Sequence, residues 1–369
     1  MSLVAALLVA LLLALSPLES AFAQSRLDFP ARAGRTGEPL VINGALDTPL
    51  IAPLLEDFHH RNPDLALRYN NLTTLAIYRD FLDDDVTPRP DVVLSSAMPW
   101  QYRLANDGHA QPLASEAARR WPAWARWRHE LFAFTFEPVV IVYRRELAER
   151  FGAVTSHADL VDLLTGHRRA LRGRVVTYDP ATSGAGYTYA IEEARLSPRY
   201  WELVNALGGV DTVLAGTTRD MLEGLADGRY LIGYNLLGSY ARDFVREHPE
   251  LEIAVPDDYA LVTQRLAFIP RDAPHPMAAR RFLDYLLGEA GQRAISELTT
   301  LGAIHPALDG PGTANALRQR LGDALRPIRI GPGLLATLDR LKREALLTRW
   351  TREFQRGTIA ADTRDETPP

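Results

Sequence analysis

The stretch Tyr178-Asp179-Pro180-Ala181-Thr182-Ser183-Gly184-Ala185-Gly186-Tyr187 joins an apolar run, Arg174 to Thr177, to an amphipathic one, Tyr187 to Arg195. A strand that ends in hydroxyls and glycines and restarts as a helix is the unit of an α/β sheet. Thr182 and Ser183 stand where a helix is capped. Gly184 and Gly186 remove side chains that would keep a ligand from the free backbone N–H groups. On these ten residues alone the turn reads equally as an anion grip and as an ordinary Ser/Thr cap.

Working outward, the same pattern recurs. Leu40 to Asn43 is a short apolar strand followed by Asp47-Thr48-Pro49, with Leu50, Leu54, Leu55 and Phe58 at helical spacing behind it. Leu65 to Tyr69 leads into another helix, and Asp91 to Leu94 ends at Ser95-Ser96-Ala97-Met98-Pro99. Ligands of open α/β sheets collect beyond such carboxyl ends. The long β-like runs Phe134 to Tyr143 and Tyr259 to Ile269 read as crossovers between two lobes, with a fresh α/β series between them. Behind them, Pro276 to Leu287 and Gly291 to Leu298 read as helices. Leu334, Leu335, Leu338, Leu341, Leu346 and Trp350 suggest one amphipathic helix within Ile328 to Phe354.

The N-terminus carries an apolar run, Leu3 to Leu15, then Ser16-Pro17 and Ala21-Phe22-Ala23, the order of a secretory signal peptide cut near Ala23. No Lys or Arg precedes Arg26, a departure from the usual positive start. The chain has no cysteine, which excludes disulfides and a lipid-bearing Cys anchor, so a free periplasmic protein is expected. Removing Glu19 with the signal takes the formal charge from −5 to −4, which argues against a nucleic-acid partner.

In their order along the chain, several segments resemble an extracytoplasmic solute-binding protein of the type II periplasmic binding fold, in the branch of ferric-iron, sugar-phosphate and phosphoglycerate-system proteins. Phe136-Glu137-Pro138-Val139-Val140-Ile141-Val142-Tyr143 is similar to that family's first crossover strand. Ser156-His157-Ala158-Asp159-Leu160 resembles the start of its next helix, and Asp179 to Tyr187 its ligand turn. Met221 to Tyr234, Pro276 to Leu287 and Gly291-Gln292 carry the likeness further. Ile330 to Leu335 and the helix behind it resemble the phosphoglycerate-regulatory type, whose members address a membrane sensor kinase.

The resemblance implies an α/β, two-lobed fold, each lobe a mainly parallel sheet flanked by helices, with a hinge between them. Expected boundaries are a signal at 1–23, lobe 1 at 36–138 plus 262–325, lobe 2 at 139–261, a helical extension at 326–356 and a disordered tail at 357–369. It further implies a monomer that closes on a small anionic solute, phosphorylated or carboxylated, and hands it to an ABC-type permease or presents it to a sensor kinase. Asp47, Thr48, Ser95 and Ser96 would face it from lobe 1. Thr182, Ser183, Gly184, Ala185, Gly186, Tyr187, Tyr234 and Asn235 would face it from lobe 2. Asp47 would cap its helix, bind a solute hydroxyl or mark a cationic solute.

No enzyme, metal or cofactor is expected. Asn235 follows Tyr234 where iron-binding relatives pair two tyrosines, and His59-His60 read as a solvated helix face. There is no G-x-S-x-G elbow or H-E-x-x-H pair, which leaves a secreted hydrolase as the remote alternative. Asp83-Asp84-Asp85 reads as a solvated acidic turn before Pro88 and Pro90. Trp121, Trp124 and Trp127 read as packing within one lobe.

Overall fold

A computed structural model describes residues 25–32 and 37–365; the expected signal peptide lies outside the described residues. The strands, in chain order, are β1 (Arg26–Phe29), β2 (Leu40–Gly44), β3 (Leu67–Asn71), β4 (Val92–Ser95), β5 (Arg126–Trp127), β6 (Leu131–Ala133) and β7 (Glu137–Arg144). They continue with β8 (Val175–Tyr178), β9 (Val213–Ala215), β10 (Ile232–Leu237), β11 (Leu251–Ala254), β12 (Ala260–Thr263), β13 (Leu266–Phe268) and β14 (Leu325–Pro327). One sheet runs β1-β3-β2-β4-β13-β6-β5 and forms lobe 1. The other runs β14-β12-β7-β10-β8-β9, with β11 also paired to β7, and forms lobe 2.

Both sheets are mixed, which corrects the expectation of mainly parallel ones. β2 lies parallel to β3 and β4, and β8 parallel to β9 and β10, as helix crossovers require. The strands that carry the chain between lobes, β6, β7, β12 and β13, bring in antiparallel pairings, β7 with β10 and β12, and β13 with β4 and β6. β2 is buried along its whole length, as a central strand covered on both faces must be. Behind it the helix Thr48–Arg61 starts on Pro49 and buries Leu50, Ile51, Leu54, Leu55 and Phe58. His59 joins that buried face, its ring bonded to the Pro30 carbonyl at 3.0 Å, while His60 is exposed. The three tryptophans share no helix: Trp121 is buried and donates to the Ala133 carbonyl, Trp124 lies edge-on to Phe136, and Trp127 meets Tyr102.

Each long crossover run breaks where it changes lobe. Phe134–Phe136 separates β6 from β7, and Gln264-Arg265 separates β12 from β13. The lobe boundaries thus fall a few residues from the expected ones, because β7 already contains Glu137 and β12 extends to Thr263. The two crossing segments bind each other: Phe134 N–H donates to the Arg265 carbonyl at 2.9 Å, and Arg265 N–H to Thr135 Oγ1 at 2.9 Å. The Arg265 side chain, 2% exposed, donates through Nε to Glu137 Oε1 at 2.9 Å and through Nη1 to the Ala45 carbonyl at 2.9 Å. Glu137 also accepts from Thr135 and Ser239. Burial would strip the Arg265 charge, but Glu137 beside it holds the guanidinium firmly protonated.

A third passage follows. Phe136 N–H donates to the Gly302 carbonyl at 2.8 Å, and beyond the helix Ala314–Leu321 the strand β14 lies parallel to β12 in lobe 2. The single helix expected near the C-terminus is two, Gly333–Thr337 and Arg340–Asp365. The second runs past 357, where order was expected to end, because Gly357 lets it press on the helix Tyr200–Gly208. A Cβ at Gly357 would lie 1.9 Å from the Asn205 carbonyl oxygen.

Glu137→Gln leaves the Arg265 charge buried without its counter-ion and is expected to lower unfolding free energy by about 3–5 kcal/mol. Adding Arg265→Met should restore part of that loss. Denaturant unfolding of the single and double variants checks both.

Candidate functional site

Four turns meet between the lobes, two from each. In lobe 1 the turn after β2 is tied to the turn after β4 by Ala45 N–H to the Leu94 carbonyl, 3.0 Å. In lobe 2 the turn after β8 is tied to the turn after β9 by Asp179 N–H to the Ala215 carbonyl, 2.9 Å, and by the Tyr178 and Thr218 hydroxyls bonded to each other. Each turn opens a helix: Thr48–Arg61, Met98–Asn106, Gly184–Leu196 and Thr218–Ala226. Four helix starts therefore converge, each with N–H groups that its own turns cannot satisfy.

The lobes touch here. Arg219 donates to Asp47 Oδ2 from Nη2 at 2.9 Å and from Nε at 3.2 Å. Tyr240 Oη accepts from Asp47 N–H at 3.4 Å. The Trp100 ring lies over Gly184, so close that a Cβ there would stand 3.3 Å from it, and Trp100 stacks on Tyr78 with ring centroids 5.8 Å apart. Asp47 stands at the N-cap but makes no side-chain cap bond. Its carboxylate turns across the cleft instead, where Oδ1 has no hydrogen bond among the described residues. The hydrogen bond from Arg219 to Asp47 raises the guanidinium pKa further. Burial pushes Tyr240 up to about 12, so it acts as a neutral hydroxyl.

Other expected residues serve the turns themselves. Thr48 Oγ1 accepts from Ser25 Oγ at 3.4 Å, and Ser95 Oγ, buried, accepts from Ala97 N–H at 3.1 Å. The half-buried Ser96 receives Met98 N–H on its carbonyl at 2.8 Å. Thr182 donates to Asp179 Oδ2 at 3.0 Å. Ser183 is a true N-cap, its Oγ accepting from Gly186 N–H at 3.2 Å. That cap leaves other donors open: the N–H groups of Gly184 and Ala185 have no acceptor among the described residues. Gly186 serves packing, since a Cβ would lie 2.6 Å from Tyr178 Cβ. Tyr187 points away, its hydroxyl donating to the Thr337 carbonyl at 2.7 Å.

Tyr234 and Asn235 do not join the contacts across the cleft; with Pro180 and Gly186 they line a small cavity inside lobe 2. They lie inside lobe 2, where Tyr234 Oη donates to Glu193 Oε1 at 2.6 Å and Asn235 Nδ2 to Glu193 Oε2 at 3.2 Å. A bulge in β10 places Asn235 at φ 67° and turns both side chains inward. The same Glu193 faces His157 Nε2 at 3.5 Å, and His157 Nδ1 meets Asp258 Oδ1 at 2.9 Å beneath a stacked Tyr259. Burial alone would depress the His157 pKa, but the Asp258 and Glu193 carboxylates overcome it and push it up to about 9.

Arg219, Tyr240, Trp100 and Tyr78 were not legible as site residues. Arg219 had a signal: Thr217 and Asp220 bracket it as a helix start, Thr217 Oγ1 accepting from Asp220 N–H at 3.1 Å. Tyr240 had none, because β10 extends three residues past Tyr234, to Leu237, and passes without a turn into the helix Gly238–Phe244. Among the described residues no three His, Cys, Asp or Glu side chains form a metal-holding group.

The sequence profile of the bacterial extracellular solute-binding proteins matches residues 40–297. Among solved structures, the substrate-binding protein of an ABC transporter from Agrobacterium tumefaciens is 34% identical with a TM-score of 0.82, over 90% of this chain and 99% of that one. Iron-bound HitA from Pseudomonas aeruginosa (16% identity, TM-score 0.67) aligns with 86% of this chain and 99% of its own. AfuA from Actinobacillus pleuropneumoniae with fructose-6-phosphate bound (16%, 0.68) aligns with 86% of this chain and 98% of its own. At that identity HitA and AfuA share the fold alone. Among proteins of curated function, none matches the chain.

His157 keeps its proton in the folded chain at pH values where the unfolded chain has lost it, so its contribution to stability is full below about pH 6.5 and disappears as pH rises through about 9. Melting temperature should fall over that window more steeply in the wild type than in His157→Gln. Gly186→Ala should cost about 1–3 kcal/mol by overpacking against Tyr178, measured by thermal unfolding.

Proposed function

The chain belongs to the bacterial extracellular solute-binding protein family, and on that premise we propose that it captures a small anionic metabolite, phosphorylated or carboxylated, between its lobes and delivers it to an ABC-type permease. Family and fold are those of non-catalytic binding proteins, and the extracytoplasmic side of the membrane is where such a protein works. The observation that carries the reading is the meeting of Arg219 and Asp47 across the cleft, beside a helix start whose first N–H groups are open. Arg219 and the N–H groups of Gly184 and Ala185 supply positive potential for an anionic group.

Asp47 sets the other half of the chemistry. A bare oxyanion beside it would be repelled, whereas a solute that also bears a hydroxyl or ammonium donor satisfies Oδ1. The solute class is thus an anion with a neighbouring donor, such as a hydroxy acid, a sugar phosphate or an amino acid. Trp100 and Tyr78 form an aromatic wall beside it.

A thermal-shift screen of inorganic phosphate, simple dicarboxylates, hydroxy acids, sugar phosphates and amino acids identifies the class, followed by calorimetry on the hit. Arg219→Gln should weaken affinity roughly ten- to hundredfold, the cost of one charge-assisted hydrogen bond. Asp47→Asn should weaken donor-bearing solutes while improving inorganic phosphate. Equal affinity for phosphate and for the donor-bearing solutes, unchanged in both variants, would remove Asp47 and Arg219 from the site.

A further inference from the structure

The match to the family profile ends at residue 297, yet the chain continues through a segment that touches both lobes at the places where they meet. Its strand β14 lies beside β12, the strand that leads into the hinge, and Ile328 N–H donates to the Val262 carbonyl at 3.0 Å. At the crossing itself Gln264 Nε2 donates to the Ile328 carbonyl at 2.9 Å. The helix Gly333–Thr337 then packs on Met98–Asn106 of lobe 1, with Leu334 and Thr337 buried. Immediately afterwards the chain holds lobe 2. Tyr187 Oη donates to the Thr337 carbonyl at 2.7 Å, the Arg343 guanidinium stands 4.6 Å above the Tyr187 ring, and Arg343 Nη2 donates to the Ala181 carbonyl at 3.0 Å. The final helix lies along Tyr200–Gly208 of the same lobe.

The two helices it grips carry the cross-cleft contact. Trp100 belongs to Met98–Asn106 and rests on Gly184, which opens the helix containing Tyr187 three residues later. A segment packed on both helices completes its contacts only when those helices stand at one spacing. We propose that Ile328–Arg343 is a further lobe-spanning element, a brace that positions the helix starts at Met98 and Gly184 and thereby sets how far the lobes close. Leu334 is its lobe-1 foot. Tyr187, gripped by Thr337 and Arg343, is its lobe-2 foot and acts as a positioning residue, without touching the solute. Hinge closure is governed by small differences between open and closed contacts, so a few such contacts are enough to bias it.

The test needs no solute, so it stands or falls separately from the solute class proposed above. Because the chain contains no cysteine, nitroxide labels on Arg79→Cys in lobe 1 and Asp227→Cys in lobe 2, both exposed, report the interlobe distance by pulsed electron spin resonance. The brace predicts one narrow distance distribution in the otherwise wild-type chain. Tyr187→Phe, which deletes only the hydroxyl, and Leu334→Ala should each move it to longer distances or broaden it by several ångströms. Leu346→Ala, in the helix packed on lobe 2, is the control: it should lower melting temperature without moving the distribution. A distribution unchanged in both Tyr187→Phe and Leu334→Ala, or moved equally by Leu346→Ala, would overturn the proposal.

Discussion

The ion pair of Arg265 with Glu137 is the point at which the two lobes become one molecule. Both side chains are buried, and each lies on a different crossing segment, so the pair locks two of the chain's passages between lobes together. Such a pair is a poor source of net stability, since desolvating two charges offsets most of their attraction. Its effect is on specificity of arrangement. The guanidinium must find Glu137 and the Ala45 carbonyl at once, and Glu137 must find Thr135 and Ser239, which leaves one way to lay the crossings side by side.

From that fixed point the site follows. Ala45 begins the turn that ends in Asp47, so the hinge pair reaches directly into the cleft. Ser239 belongs to the helix Gly238–Phe244, which follows β10 directly, and is followed by Tyr240, whose hydroxyl meets Asp47 from the other lobe. Arg219 and Tyr240 of lobe 2 thus meet Asp47 of lobe 1 two residues from the Ala45 carbonyl that the buried pair holds. The caps inside each lobe, Ser95 and Ser183 among them, tie each turn to the helix that follows it. Capping and ligand binding do not compete at Gly184, because Ser183 takes one amide and leaves two others open.

Much of this was legible without coordinates. The strand ends, the hydroxyl caps and the positions of the main helices followed from periodicity and turn chemistry, both of which are local. The glycine-rich turn was legible as a helix start, but Gly184 and Gly186 could not be told apart. One meets a tryptophan of the other lobe and the other meets its own strand. Tyr234 and Asn235 were expected at the solute because the family resemblance implies it. Only the bulge in β10 and the partner Glu193, forty-odd residues earlier, place them inside the lobe.

The sequence by itself determined the α/β alternation, the two-lobed plan and the crossover runs, which are written in short-range patterns of apolar, capping and turn residues, and its ordered segments carried the resemblance to the solute-binding family. Tertiary structure decided the mixed sheets, the site pair Asp47 and Arg219, and the grip of the C-terminal segment on both lobes. Those depend on partners separated by 172 residues for Asp47 and Arg219 and by 150 for Tyr187 and Thr337. No local pattern specifies such pairings; they arise when the hinge brings the turns and helix starts of the two lobes together.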